Sequence, residues 1–349
     1  MRMHSEVRRG VIRTQRSSDV VTCIHYCITF AFYRFVSALS PSQALRRAAR
    51  RAAMALSKLS GDEQGIIFIK LCNALDPRVA VDFSSASSEL WEASTLALRQ
   101  QLRAQHEAAT ALCLKMGMRS CKDLRETKYF VWKNKDLSET DLALLGKLGS
   151  VLPALESLTL YERYGAPVPD GVQRLAEGLG VGALPAVQEL HLSGMQVGDA
   201  GASALAAALG RGAMPRLTHL TLQKASITDA GLVALAPALR RLPTLLHLDL
   251  DGNQFGDEGL AALVAPPSPP PAGAPPPPAG GLTKLRQLDL SYTKVTDAGC
   301  AALAAVLNSG ALPALELLCL KGGRASAAAK SSVRRSGLEV EVVRGVPYM

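Results

Sequence analysis

Leucines recur in a fixed frame along the C-terminal two-thirds of the chain. At residues 217–222 the order is Leu217, Thr218, His219, Leu220, Thr221, Leu222, an apolar position, two polar ones, then strict alternation. The frame returns at residues 187–209, 245–263 and 285–307, with a divergent copy at 155–179 and a truncated one from 315. Its second apolar position falls at Leu158, Leu190, Leu220, Leu248, Leu288 and Leu318, in steps of 32, 30, 28, 40 and 30 residues. Self-similarity at such a period is the pattern of a solenoid. The alternating part predicts a short strand with one apolar face.

A turn and an apolar residue follow each strand: Val197, Ile227, Phe255 or Val295. Next comes an aspartate (Asp199, Asp229, Asp257, Asp297), and two positions on a glycine (Gly201, Gly231, Gly259, Gly299). An aspartate near a helix start accepts from free amides and suits the positive end of the dipole, so each is expected to cap its helix. The segment beyond is rich in Ala and Leu, with apolar pairs four apart such as Leu205/Leu209 and Leu235/Leu239. That spacing predicts an amphipathic helix. One strand and one short helix cannot bury their apolar faces alone, whereas a stack of like units can.

This frame resembles the leucine-rich repeat superfamily, and units of roughly 28–30 residues look like its ribonuclease-inhibitor-like subclass. The resemblance implies an α/β solenoid, a horseshoe arc with a parallel inner sheet and outer helices. The family's turn carries an asparagine three residues after the last strand leucine. Here Asn253 fits, while Met195, Ala225, Thr293 and Gly323 stand at the equivalent positions. Residues 127–132, with Phe130 and Trp132 at the apolar positions, read as a degenerate first repeat. Residues 338–343 alternate as a final capping strand.

Residues 41–125 read as a helical N-terminal region, including a long helix from Trp91 to about Met116. Within it, residues 59–91 resemble an F-box: Leu59, Asp62 and Glu63, Ile66, Ile67 and Phe68, Leu71, Asp76 and Pro77, then Leu90 and Trp91. The family's proline after the leading leucine is Ser60 here. The resemblance implies docking on the adaptor subunit of a cullin-type ubiquitin ligase through Ile66, Ile67 and Leu71. The same segment also reads as a cap over the first repeat, because solenoid ends must be covered. Residues 1–40 begin Arg-rich and continue into an apolar run at 20–33, too short to span a bilayer. They read as a cleavable targeting segment, a disordered tail or a wrongly assigned start. The tract at 266–279, PPSPPPAGAPPPPA, lengthens the repeat that starts at Leu245, after its helix, and reads as an extended loop at the solenoid edge.

Charge adds little to the repeats. The net +9 of the 349 residues sits wholly in residues 1–60, which hold eleven Arg/Lys and two acidic residues; the remaining 28 basic and 28 acidic residues cancel. A neutral array argues against nucleic acid as partner. The seven cysteines are scattered with no C-x-x-C pair, which suits reduced thiols and a cytoplasmic location.

Strand residues between the leucines should stand in columns on the concave face. One column holds Glu189, His219, His247 and Gln287, the next His191, Thr221, Asp249 and Asp289, and the third Gln223, Asp251 and Ser291. His219 and His247 should be strand neighbours with Asp249 and Asp251 alongside. That set fits metal coordination, acid–base chemistry or a polar docking surface. No phosphate loop, H-E-x-x-H or G-x-S-x-G occurs. The expectation is a monomeric, non-enzymatic protein-binding module without cofactor, metal or stable membrane span.

Overall fold

The computed structural model describes residues 96–133, 138–162, 170–265 and 282–342. The segment 1–40, the F-box-like stretch with Ile66, Ile67 and Leu71, and the tract 266–279 lie outside the described residues. Contacts divide the chain into two compact units, and the one that includes Arg99–Met349 holds every described strand.

Along this unit the elements alternate. After α1 (Leu96–Lys115) and α2 (Cys121–Glu126) come β1 (Tyr129–Lys133), α3 (Glu139–Leu148), β2 (Ser157–Tyr161), α4 (Gly171–Gly178), β3 (Glu189–His191) and α5 (Gly198–Gly210). Then follow β4 (His219–Thr221), α6 (Asp229–Arg240), β5 (His247–Asp249), α7 (Asp257–Val264), β6 (Gln287–Asp289), α8 (Asp297–Asn308), β7 (Leu317–Cys319), α9 (Ala327–Ser332) and β8 (Glu339–Glu341). The strands form one eight-stranded sheet in chain order, parallel at every junction. This is an α/β leucine-rich-repeat solenoid. Among the described residues no helix is long and apolar enough to cross a membrane.

The register follows from the leucines. Phe130, Leu158, Leu190, Leu220, Leu248, Leu288, Leu318 and Val340 stand side by side across the sheet. Together with Leu160, Leu192, Leu222, Leu250, Leu290 and Leu320 they face the helices, in one core with Leu205, Leu235, Leu263 and Leu303. Each buried leucine contributes roughly 1.5–3 kcal/mol of burial energy. A one-residue slip would turn a whole strand's set toward solvent, so the register is strongly specified. At the N-terminal end Leu112 and Cys113 of α1 and Cys121 and Leu124 of α2 join the same core as Phe130 and Trp132, covering the first repeat.

The aspartates do not cap their own helices, contrary to expectation. Asp199, in the first turn of α5, accepts from the Thr228 amide (2.9 Å), the Thr228 hydroxyl (2.6 Å) and the Gly231 amide (3.1 Å) at the start of α6. Asp229 in turn accepts from Gly256 (2.8 Å) and Gly259 (2.7 Å) of the next repeat. Asp257 accepts from Thr296 (2.8 and 2.6 Å), and Asp297 from Ser326 (2.5 and 3.0 Å). The glycine completes this latch: a Cβ at Gly231 would lie 2.3 Å from the Asp199 carboxylate, and one at Gly299 2.2 Å from that of Asp257. D-x-G is therefore a donor and a receiver at one position, joining each repeat to the next.

The lone turn asparagine is buried and saturated. Asn253 accepts from the Ala225 and Ile227 amides (3.2 and 3.0 Å) and donates to the Leu222 and Leu250 carbonyls (2.7 and 2.9 Å). Thr293 replaces part of this with one bond to the Leu290 carbonyl (2.8 Å). Met195 and Ala225 fill their places as buried apolar groups.

Candidate functional site

On the face of the sheet turned away from the helices, period two leaves the polar columns standing. Glu189, His219, His247 and Gln287 are direct neighbours across β3–β6, as are His191, Thr221, Asp249 and Asp289. The ladder runs on past the strand ends, where Lys224, Gly252 and Tyr292 amides donate to the Asp251, Ser291 and Lys321 carbonyls. This aligns Gln223, Asp251, Ser291 and Lys321 as the third column. Two of its residues do not lie open as expected. Asp251 is 8% exposed and Ser291 2%; Ser291 accepts from the Lys321 amide (3.1 Å).

The histidines are held by specific neighbours. His219 and His247 stack with ring centroids 4.1 Å apart and planes 8° from parallel. Thr218 spends its one hydroxyl proton on the Gln188 carbonyl (2.9 Å), so His219 Nδ1, 2.8 Å away, must donate to it. His247 Nδ1 lies 2.7 Å from Gln287 Oε1, an acceptor, and donates likewise. Both Nε2 lone pairs thus lie in near-parallel ring planes and do not converge on the ~2 Å points a shared metal ion requires. His191 sits 3.0 Å from the Thr221 hydroxyl and 3.7 Å from the Glu189 carboxylate. Burial lowers the His219 pKa, and the neighbouring His247 lowers it further. His219 is therefore biased toward its neutral form.

Beside the histidines lie three carboxylates. The Asp249 carboxylate accepts the Asp251 amide (2.9 Å), and Asp289 accepts the Ser291 amide (2.8 Å), the same turn on adjacent strands. Gln223 donates to Asp251 Oδ2 (2.7 Å), while Asp251 Oδ1 is buried without a hydrogen-bond partner. Burial pushes the Asp249 pKa up to about 6; the Asp251 amide opposes this, and the Asp289 and Asp251 charges add to it. Asp251 is also raised, chiefly by burial, against the Gln223 bond. Among the described residues no three His, Cys, Asp or Glu side chains are grouped to hold a metal ion.

Two contributors to this surface, Thr218 and Glu341, were not singled out from the sequence. Thr218 fixes the ring of His219, yet sits just before the strand, where period two says nothing of its role. Lys321 and Glu341 pair at the C-terminal edge, raising the one pKa and lowering the other through their mutual hydrogen bond. Glu341 follows from the alternation of the capping strand carried one column further. Next to it the Cys319 thiol is pushed up to about 12 by burial and the nearby Asp289 and Glu341 charges, so it stays protonated.

Comparison with known proteins fits this architecture. Four segments, residues 185–206, 214–236, 241–264 and 281–304, match the family described as Leucine Rich repeat. No curated protein matches the chain. Among solved structures, a protein from Bacteroides fragilis overlaps 68% of this chain and 70% of its own, at 11% identity and a TM-score of 0.37, a likeness too loose to bear on function.

Proposed function

We propose that the strand face between β3 and β6 is the docking surface for a protein partner. Repeats of this kind generally mediate protein–protein contact, and fold alone names no partner. The observation that carries the reading is that His191, His219, His247 and Gln287 are held in set positions although the core needs none of them. Groups fixed before binding lose little conformational freedom on binding. The surface lacks a nucleophile joined to a base and an orienting group, which supports a binding scaffold over an enzyme. Buried free thiols at Cys113, Cys121, Cys300 and Cys319 support a reducing compartment such as the cytoplasm. Strand-to-strand steps of 28–32 residues, outside the lengthened repeat, support the ribonuclease-inhibitor-like subclass.

The test is photo-crosslinking in the native cell from p-benzoylphenylalanine placed at exposed Gln287 or, as the helix-side control, at exposed Val233. A partner captured from position 287 and not from 233 is expected. Capture from 233 alone would move the docking surface to the helices. The F-box resemblance at residues 59–91 supports a second role as substrate receptor of a cullin ligase. Co-precipitation of the ligase adaptor by the wild type, lost in Ile67→Asp and Leu71→Asp, is its expected outcome; absence of adaptor from the wild type leaves only the capping role.

A further inference from the structure

The three carboxylates beside the stacked histidines have too little counter-charge for their number. Asp249 and Asp289 are direct partners on adjacent strands, whose backbones lie about 4.8 Å apart. Each has one oxygen engaged by the amide two residues on. Asp251, the third, is more than nine-tenths buried, and its Oδ1 makes no hydrogen bond. Leaving a buried carboxylate oxygen unbonded is costly, so the arrangement is built to be completed. Two lysines are near enough to favour the Asp251 charge, but neither reaches an ion pair with it. Lys321 is engaged by Glu341, and the Lys224 stem lies over Gly252.

We propose that Asp249, Asp251 and Asp289 form the seat for an arginine side chain of the protein partner. The inference rests on the docking surface above and names the chemistry that surface recognises. A guanidinium carries five donors in a planar fork, matching acceptors spread over two strands and the turn behind them. An ammonium is a compact charge and would satisfy fewer of them at once. The stacked His219 and His247 stand on β4 and β5 two residues before Thr221 and Asp249. Among the described residues no three such side chains are grouped to hold a metal ion, and a guanidinium's spread donors suit acceptors set further apart. Ionised Asp249 and Asp251 are unfavourable in the free protein, since burial raises both pKa values. An arriving cation relieves that cost, and the difference appears as affinity.

The experiment is amide NMR of the full chain titrated with N-acetyl-arginine amide, N-acetyl-lysine amide or calcium chloride at constant ionic strength. The reporters are the Asp251 and Ser291 amides and the Gln223 side-chain amide, all of which touch the three carboxylates. Saturable shifts with arginine are expected, with lysine at least about five-fold weaker. Asp251→Asn and Asp289→Asn keep shape and their existing acceptor bonds, and each should weaken arginine by about ten-fold while the other cross-peaks stay in place. Equal shifts with arginine and lysine that persist in both variants would mean general charge screening and overturn the proposal. Calcium saturating where arginine does not would overturn it in favour of a metal site, and no saturation with any probe would end it. Crosslinking from position 287 reads the docking surface separately, so partner capture without arginine binding removes the seat alone.

Discussion

The inter-repeat latch makes a quantitative demand. Asp199→Ala removes one carboxylate that three donors of the next repeat use: the Thr228 amide, its hydroxyl and the Gly231 amide. The hydroxyl can turn to water, but the amides open α6, which has no side-chain cap of its own. Losing a helix cap costs roughly 0.5–2 kcal/mol, and hydrogen bonds to a charged acceptor are worth about 1.5–3 kcal/mol. A loss of about 2–3 kcal/mol is expected, since the bonds share one carboxylate and do not sum. Gly231→Ala attacks the same latch from the other side, by forcing a methyl within 2.3 Å of the carboxylate. It should cost at least as much, because it displaces the acceptor and strains the junction. In the Asp199→Ala background the chief obstruction is gone. The double variant should then be more stable than the sum of the singles predicts, by roughly 1–2 kcal/mol. Urea unfolding followed by far-UV circular dichroism, with slopes compared to confirm a common transition, reads all four proteins. Additive effects, or an Asp199→Ala cost below about 0.5 kcal/mol, would show that the aspartate does not hold the junction.

Three further substitutions test other parts of the structure. Asn253→Ala leaves buried backbone groups of two repeats unpaired and should cost about 2–4 kcal/mol by the same assay, against under about 1 kcal/mol for Thr293→Ala, which breaks one bond. Leu222→Ala and Leu250→Ala should each cost about 2–5 kcal/mol, while Thr221→Ala on the open face costs little, and equal losses from all three would put the core on the wrong face. Asp249 has a raised folded-state pKa, so its favourable contribution is complete below the unfolded value near 4 and is lost as pH rises through about 6. Asp249→Asn keeps the acceptor for the Asp251 amide and removes the charge. It should stabilise the protein at pH 7 by on the order of 1 kcal/mol and flatten the pH dependence between pH 4 and 6, and unchanged melting profiles would contradict the burial argument.

The sheet and its columns are legible in the chain because a period-two strand gives no choice of face once Leu220 and Leu222 are known to be apolar. The 28-residue step from Leu220 to Leu248 then sets which residues are neighbours, and so brings His219 beside His247. The latch is not legible. An aspartate in the first turn suits its own helix and the next equally well, and both readings share one sequence spacing. Gly231 decides between them, but only when the distance to Asp199 is known. The burial of Asp251 and Ser291 is hidden for a related reason: the third column lies where the strand ends and the chain turns, so alternation no longer applies. The missing asparagines at Met195 and Ala225 follow no polar pattern, since apolar packing replaced the hydrogen bonds.

Because each aspartate serves the repeat that follows it, the array has a direction that the near-identical units conceal. Peeling repeats away from the C-terminal end exposes a carboxylate to water, where it is well solvated. Peeling from the N-terminal end strips the cap from the first helix left behind, and α6 and α7 have no side-chain cap in reserve. Loss at that end therefore weakens its successor and tends to spread. The ends are furnished accordingly. Helix α3 carries its own reciprocal capping box between Ser138 and Asp141, and at the far end Ser326 caps α9 itself. Native-state hydrogen exchange should then show opening events graded along the chain, with the interior helices surviving the loss of later repeats better than the loss of earlier ones.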